Sequence, residues 1–210
     1  MAIALIHALR HSPPPIEAAF ARHWPDAVLR SVLDESLSAD RAREGMLTPA
    51  MTARFLALGR RAANDGAQAI LFTCSAFGPC IDAVREALHP LPVRGPAEAM
   101  IARAAASGQR IGLLASFAPT LASMPAEFPV GVEVVPIFAA GALDALAAGD
   151  GETHDRLAAE AAARAGECDL IALAQYSLAR SAAAVERATG LEVVTAPDAA
   201  VLDLRRALKR

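Results

Sequence analysis

The residues best equipped for chemistry gather around one cysteine. Cys74 stands in the run Thr73-Cys74-Ser75-Ala76, directly after the apolar residues 69–72 and shortly before a helix that enters at Pro79. This order puts a thiol at the carboxyl end of a strand and near a helix N-terminus. Partial positive charge and free N–H groups there are expected to lower a thiol pKa and favour the reactive thiolate. Thr73 and Ser75 are small and hydroxyl-bearing, so the turn can bring backbone N–H groups to a carboxylate. The alternative is a buried structural thiol, common for free cysteine. Its place in a polar loop rather than inside a strand favours the chemical role. Cys80, inside the following helix, and Cys168, before the run 170–174, read as packing residues.

A second polar loop, Gln175-Tyr176-Ser177, follows the apolar residues 170–174. Tyr176 is the one tyrosine of the chain; its phenol can donate a hydrogen bond, and Gln175 can donate and accept. Ser116 and Thr120 flank a third loop of the same kind, where Thr120 serves equally well as a helix cap. His7 ends the first apolar run and either faces a site or is a satisfied core histidine. His23, His89 and His154 read as surface or helix-end residues. No two histidines have metal-ligand spacing, so no metal is expected. A glycine-rich phosphate loop is missing, which disfavours nucleotide cofactors.

The elements that carry these loops follow from periodicity. Residues 3–7, 27–33, 69–72, 110–114, 132–136, 170–174 and 192–195 read as strands. Helices are expected from the proline triplet at 13–15 with Ile16, Phe20 and Trp24 on one face, then at 48–64, 79–88, 96–106, after Pro119, and at 151–166, 178–188 and 197–208. Strands alternating with helices predict an α/β fold with parallel sheets covered on both faces. The run from Ile3 to Ser12 lines up with Ile111 to Thr120, and Ile70–Ser75 with Ile171–Tyr176, as duplicated halves would. The expected domains are 1–95, with the last helix 197–208 packing on it, and 96–196. Residues 34–49 are polar and read as a lid or as a solvated loop.

Composition narrows the function classes. The 210 residues are 54% hydrophobic and 20% charged, enough for a large core and unlike a disordered chain. A net charge of −3 does not suggest a nucleic-acid binder; Arg205, Arg206, Lys209 and Arg210 read as a solvated helix end. Neither a membrane span nor a signal peptide is expected, because no apolar stretch of about 20 residues occurs and the first residues lack a basic segment. Three cysteines without metal or disulfide spacing fit reduced thiols in the cytoplasm.

Taken together, Ile70–Ala76, Ile111–Ser116 with Thr120, and the strand and loop 170–177 make nearly the whole chain resemble the aspartate/glutamate/hydantoin racemase superfamily. The resemblance implies a cofactor-independent enzyme of two pseudo-symmetric, Rossmann-like parallel-sheet domains, with the active site in the cleft between them. Racemases of that superfamily use two cysteines, one per half, to remove and return a proton beside a carboxylate. The first matches Cys74; the second falls at Gln175, which cannot act as a proton acceptor. The expected function is therefore an isomerase on a small carboxylate or related acidic C–H substrate, with Cys74 as single thiol, acid/base or nucleophile. Superfamily relatives also suggest a decarboxylase or lyase, and loss of half the chemistry suggests a binding protein for small acids. By the same resemblance, Thr73, Ser75, Ser116, Thr120, Ser177 and His7 bind substrate, while Gln175 and Tyr176 hydrogen-bond where the second thiol is missing. A homodimer is implied. Few basic residues flank these loops, Arg10 and Arg180 being nearest, so a monoacid is a better substrate than a dicarboxylate.

Overall fold

The structure, a computed structural model, describes residues 1–209; Arg210, the last of the basic end, lies outside the described residues. The chain forms two compact units, one of residues 1–98 joined by the chain end from Ala200, the other of residues 99–199. Both have the α/β architecture expected from the alternation of strands and helices.

In the first unit, β1 (Ala2–His7), β2 (Val28–Leu33), β3 (Ala69–Phe72) and β4 (Val93–Arg94) make a parallel sheet in the order β2-β1-β3-β4. The helices between them are α1 (Pro13–His23), α2 (Ser36–Glu44), α3 (Pro49–Asn64) and α4 (Gly78–Ala87). The two central strands are buried almost throughout, as parallel strands covered on both faces must be. Pro13 opens α1, which buries Ile16, Ala19 and Phe20. Thr48 caps α3 by accepting a hydrogen bond from the Met51 N–H, and Pro49 supplies a first helical residue that needs no N–H partner. That helix turns Met51, Phe55 and Gly59 to the core. A Cβ at Gly59 would stand 2.6 Å from a Val84 methyl, so glycine is what lets α3 approach α4 this closely.

Residues 34–49 are not the lid or loop expected. Ser36–Glu44 is a helix that ends on Gly45 in the left-handed conformation, and Leu37 is fully buried in the core with Met51, Phe55 and Phe72. The helix is fastened by charge: the Arg54 guanidinium donates to Asp34 at 2.7 Å and to Asp40 at 2.6 Å. Only one apolar residue in nine faces inward, so hydrophobic periodicity gave no warning of it.

The second unit repeats the plan. β5 (Arg110–Ala115), β6 (Glu133–Phe138), β7 (Leu170–Leu173) and β8 (Glu192–Thr195) form a parallel sheet in the order β6-β5-β7-β8. Around it run α5 (Glu98–Ser107), α6 (Ala118–Ser123), α7 (Ala142–Ala147), α8 (Gly151–Ala163) and α9 (Ala182–Thr189); α10 (Ala196–Leu208) carries the chain back into the first unit. The correspondence reaches single hydrogen bonds. Thr73 N–H donates to Ile6 O at 3.1 Å and Ala174 N–H to Leu114 O at 3.0 Å; Asp34 N–H to His7 O and Ala139 N–H to Ala115 O, both at 2.9 Å; Ser12 N–H to Leu9 O and Thr120 N–H to Phe117 O, both at 3.1 Å. This pairing makes Cys74 the counterpart of Gln175 and Ala8 the counterpart of Ser116. The helix expected over 178–188 begins instead as a 3-10 segment, Tyr176–Ser181.

Candidate functional site

In the first unit the register pairs Ile6 with Phe72, which brings His7 beside Thr73 just past the sheet. His7 is fully buried, and its Nδ1 lies 2.8 Å from the Thr73 hydroxyl, which itself donates to the Ile6 carbonyl. His7 Nε2 is also buried and has no protein partner. Removal from water disfavours the imidazolium and pulls the His7 pKa from 6.5 down to about 4, so the ring is neutral at pH 7. In the unfolded chain the ring takes up its proton near 6.5. As pH falls from 6.5 to about 4, the unfolded state therefore binds a proton that the folded state refuses, and stability declines across that window. The loss reaches about 3 kcal/mol below pH 4. Urea unfolding followed between pH 7 and 4 is expected to show this slope in the wild type and to lose it in His7→Asn; parallel slopes for both proteins would contradict the assignment.

Cys74 follows β3 in extended conformation, and a 3-10 turn, Ser75–Phe77, separates it from α4. The residue is half-buried against the core of the first unit. Its sulfur meets the Ser38 side chain from α2 and the Ala76 backbone. His7, Ala8, Leu37, Phe55, Phe72 and Cys74 line one crevice with no room for a water-sized sphere. Here the expected activation of the thiol fails. Burial against apolar neighbours pushes the Cys74 pKa up, and the hydrogen bonds from Ala76 and Ser38 offset only part of the rise. The intervening turn matters too, because a helix field fades beyond the first turn. At rest Cys74 is a neutral thiol. Ser75 is exposed on the same turn, and Thr73 is buried by its bond to His7.

The second unit sets an amide at the matching place. Gln175 has nearly the backbone angles of Cys74 and is likewise followed by 3-10 backbone. Its Oε1 accepts from the Ser116 N–H at 2.7 Å and from the Ser116 hydroxyl at 3.1 Å. A backbone N–H can only donate, so the oxygen end of the amide must face Ser116, and the NH2 end is left to donate elsewhere. Ser116 thereby spends its own donors on Gln175, whereas the sequence had placed it among the residues contacting substrate. Tyr176 is buried, hydroxyl included. Ser177 is half-buried in the 3-10 segment, and Thr120 lies inside α6, whose N-cap position is Phe117.

Sequence reasoning missed two features. Ser38 became visible only once α2 was a helix. His154, read as a surface or helix-end residue, does lie near the start of α8 but is fully buried: its Nδ1 lies 2.9 Å from the Asp155 carboxylate and 3.2 Å from the Ser181 hydroxyl, while Arg180 donates to Asp155. This cluster ties α8 to the 3-10 segment that begins at Tyr176, and a histidine on a helix of mostly alanine and charged residues gives no sequence signal of burial. Cys80 is buried as expected, and Cys168 is half-buried. Among the described residues no group of three or more His, Cys, Asp or Glu is placed to hold a metal. No described helix is long and apolar enough to cross a membrane.

Comparison with solved structures gives the same fold repeatedly. Allantoin racemase from Klebsiella pneumoniae superposes with a TM-score of 0.72 at 19% identity, covering 100% of this chain and 88% of that one. For glutamate racemase from Francisella tularensis, in complex with D-glutamate, the values are 0.71, 14%, 99% and 81%. An arylmalonate decarboxylase gives 0.70, 21%, 98% and 92%. Curated proteins give no match. Built of two duplicated parallel-sheet units and matched by the family model over residues 15–204, the chain belongs to the Asp/Glu/Hydantoin racemase family.

Proposed function

We propose that this protein is a cofactor-independent enzyme of the isomerase type that moves a proton at one face of a carbon beside a carboxylate, with Cys74 as its single thiol. The observation that carries the reading is the pairing of a cysteine and a hydrogen-bonded glutamine at matching positions of the two duplicated units. Cys74 breaks its S–H bond, the proton goes to an enolate-like carbon, and the electron pair stays on sulfur as thiolate beside Ser38 and the Ala76 N–H. The reverse step takes the proton from the same face. The NH2 group of Gln175 donates to developing negative charge on oxygen instead of accepting a proton. Ser75, Ser177 and backbone N–H groups of the strand-end turns hold the carboxylate, with Thr120 completing the polar lining, while Thr73, bonded to His7 and the Ile6 carbonyl, and the buried Tyr176 support the two turns.

One observation favours a second reading within the same family. A thiol kept protonated by burial is better suited to giving a proton than to taking one. Loss of carbon dioxide from a malonate-like acid would leave the C–C electron pair on the substrate as an enolate, which Cys74 then protonates. Under either reading we expect a dimer in the reducing cytoplasm, consistent with three free cysteines.

The test is NMR in deuterated water over a panel of small chiral monocarboxylates, hydantoins and malonates. Exchange at one enantiomer without racemisation is the expected result. Carbon dioxide release from a malonate would select the second reading. Full racemisation would overturn the single-thiol mechanism, and ligand binding with neither exchange nor release would leave a binding protein for small acids.

A further inference from the structure

The α2 helix bonds one polar side chain to Ala8, a residue that lines the same crevice as Cys74. Ser38 Oγ lies 2.8 Å from the Ala8 carbonyl, to which it donates, and the same side chain meets the Cys74 sulfur. Two groups therefore compete for a single hydroxyl proton. A protonated thiol needs no donor and can itself donate weakly to the serine oxygen, so the hydroxyl turns to Ala8 O. A thiolate is a strong acceptor, and charge-assisted hydrogen bonds are about twice as strong as neutral ones. We propose that Ser38 is a positioning residue for the Cys74 thiol, its hydroxyl proton resting on the Ala8 carbonyl while the sulfur is protonated and turning to the sulfur once the proton has left. No covalent bond at Ser38 changes, and the hydroxyl only rotates.

The mounting of Ser38 suits this task. Leu37, next to it, is fully buried, and Arg54 clamps Asp34 and Asp40, which flank Ser38 in the chain. The hydroxyl is thus presented from a helix fixed on both sides, and a well-fixed donor costs little reorganisation when charge appears. Other charges do not intrude on the thiol. His7 from β1 lines the same crevice but stays neutral above about pH 4. From α2 and α3, Asp34, Asp40 and Arg54 are bound to one another. The strand β3 and the turn after it bring only Phe72, Thr73, Ser75, Ala76 and Phe77.

The inference rests on Cys74 being the reacting thiol, yet its test needs no turnover. Iodoacetamide alkylation of the full chain is followed against pH for wild type, Ser38→Ala and Ser38→Thr, with each cysteine read separately by peptide mass. Ser38→Ala is expected to raise the Cys74 midpoint by about one pH unit and to slow its alkylation at fixed pH about tenfold. Ser38→Thr, which keeps the hydroxyl, is expected to restore both. Cys168 serves as the internal control and should not move. Should Ser38→Ala expose Cys80 and so report unfolding, Ser38→Cys, nearly isosteric and a weak donor, carries the same expectation. Superimposable Cys74 profiles for wild type and the hydroxyl-free variant would overturn the proposal. A shifted profile without Cys74-dependent exchange would leave Ser38 in this role and remove the catalytic reading instead.

Discussion

Cys74→Ser is expected to lower kcat/KM for the exchange or release reaction by about a thousandfold, while the affinity for the carboxylate changes by no more than a few fold. A positioned general acid or base contributes roughly 10²–10⁴ to rate. The serine hydroxyl keeps the shape and the contacts with Ser38 and Ala76, but its proton is far too tightly held to be given or taken at neutral pH. The split is what matters: a thiol that merely filled the crevice would, on replacement, weaken binding and stability together. Kinetics on the best substrate of the panel, with affinity measured by titration calorimetry, separate the two. Equal loss of affinity and rate, or no loss of rate, would rule out Cys74 as the proton carrier.

The second large effect is on stability. The Phe55 ring lies 5.1 Å from that of Phe72 and 4.8 Å from that of Phe77, and all three are almost fully buried. Truncating such a ring removes its transfer energy and leaves a cavity, so Phe55→Ala is expected to destabilise the protein by about 4 kcal/mol. Phe55→Leu, which retains most of the volume, is expected to cost about 1.5 kcal/mol. Denaturant unfolding of the full chain measures both. The site should respond as well, because Phe55 and Cys74 line the same crevice. Opening that wall admits water to the sulfur and relieves part of the burial that keeps the thiol protonated. A loss below about 1 kcal/mol in Phe55→Ala would mean that the three rings do not form a close-packed core.

What was legible in the sequence, and what was not, has a physical pattern. β3 ends where its continuous apolar run ends, and α3 starts at its Thr48 cap, because these limits are local. The duplicated layout was visible in the matching of residues 3–12 with 111–120, and its backbone hydrogen bonds recur in both units. α2 was hidden because its stability comes from outside itself: Arg54, ten residues beyond its end, supplies the charge, and Leu37 alone supplies the apolar anchor. The state of the Cys74 thiol was misread for the same reason. Its helix and turn are neighbours in sequence, but Leu37 and Phe55, which line its crevice, are distant in the chain. Likewise Gln175 could be placed at a strand end, yet only the partner at Ser116 fixes which end of the amide donates.

The division of the chain also bears on the order in which the protein is made. Residues 99–199 form an unbroken unit and have all their strands once that stretch has been synthesised. The first unit is interrupted: its final segment, from Ala200 on, arrives only after the second unit has been completed. That segment is held there by Asp203, which accepts from Arg94 at 2.7 Å, and by Arg205, which donates to the His23 carbonyl at 2.8 Å. Of the two units, the one whose first strands are made earlier is therefore the one completed later, once the segment from Ala200 on has joined it.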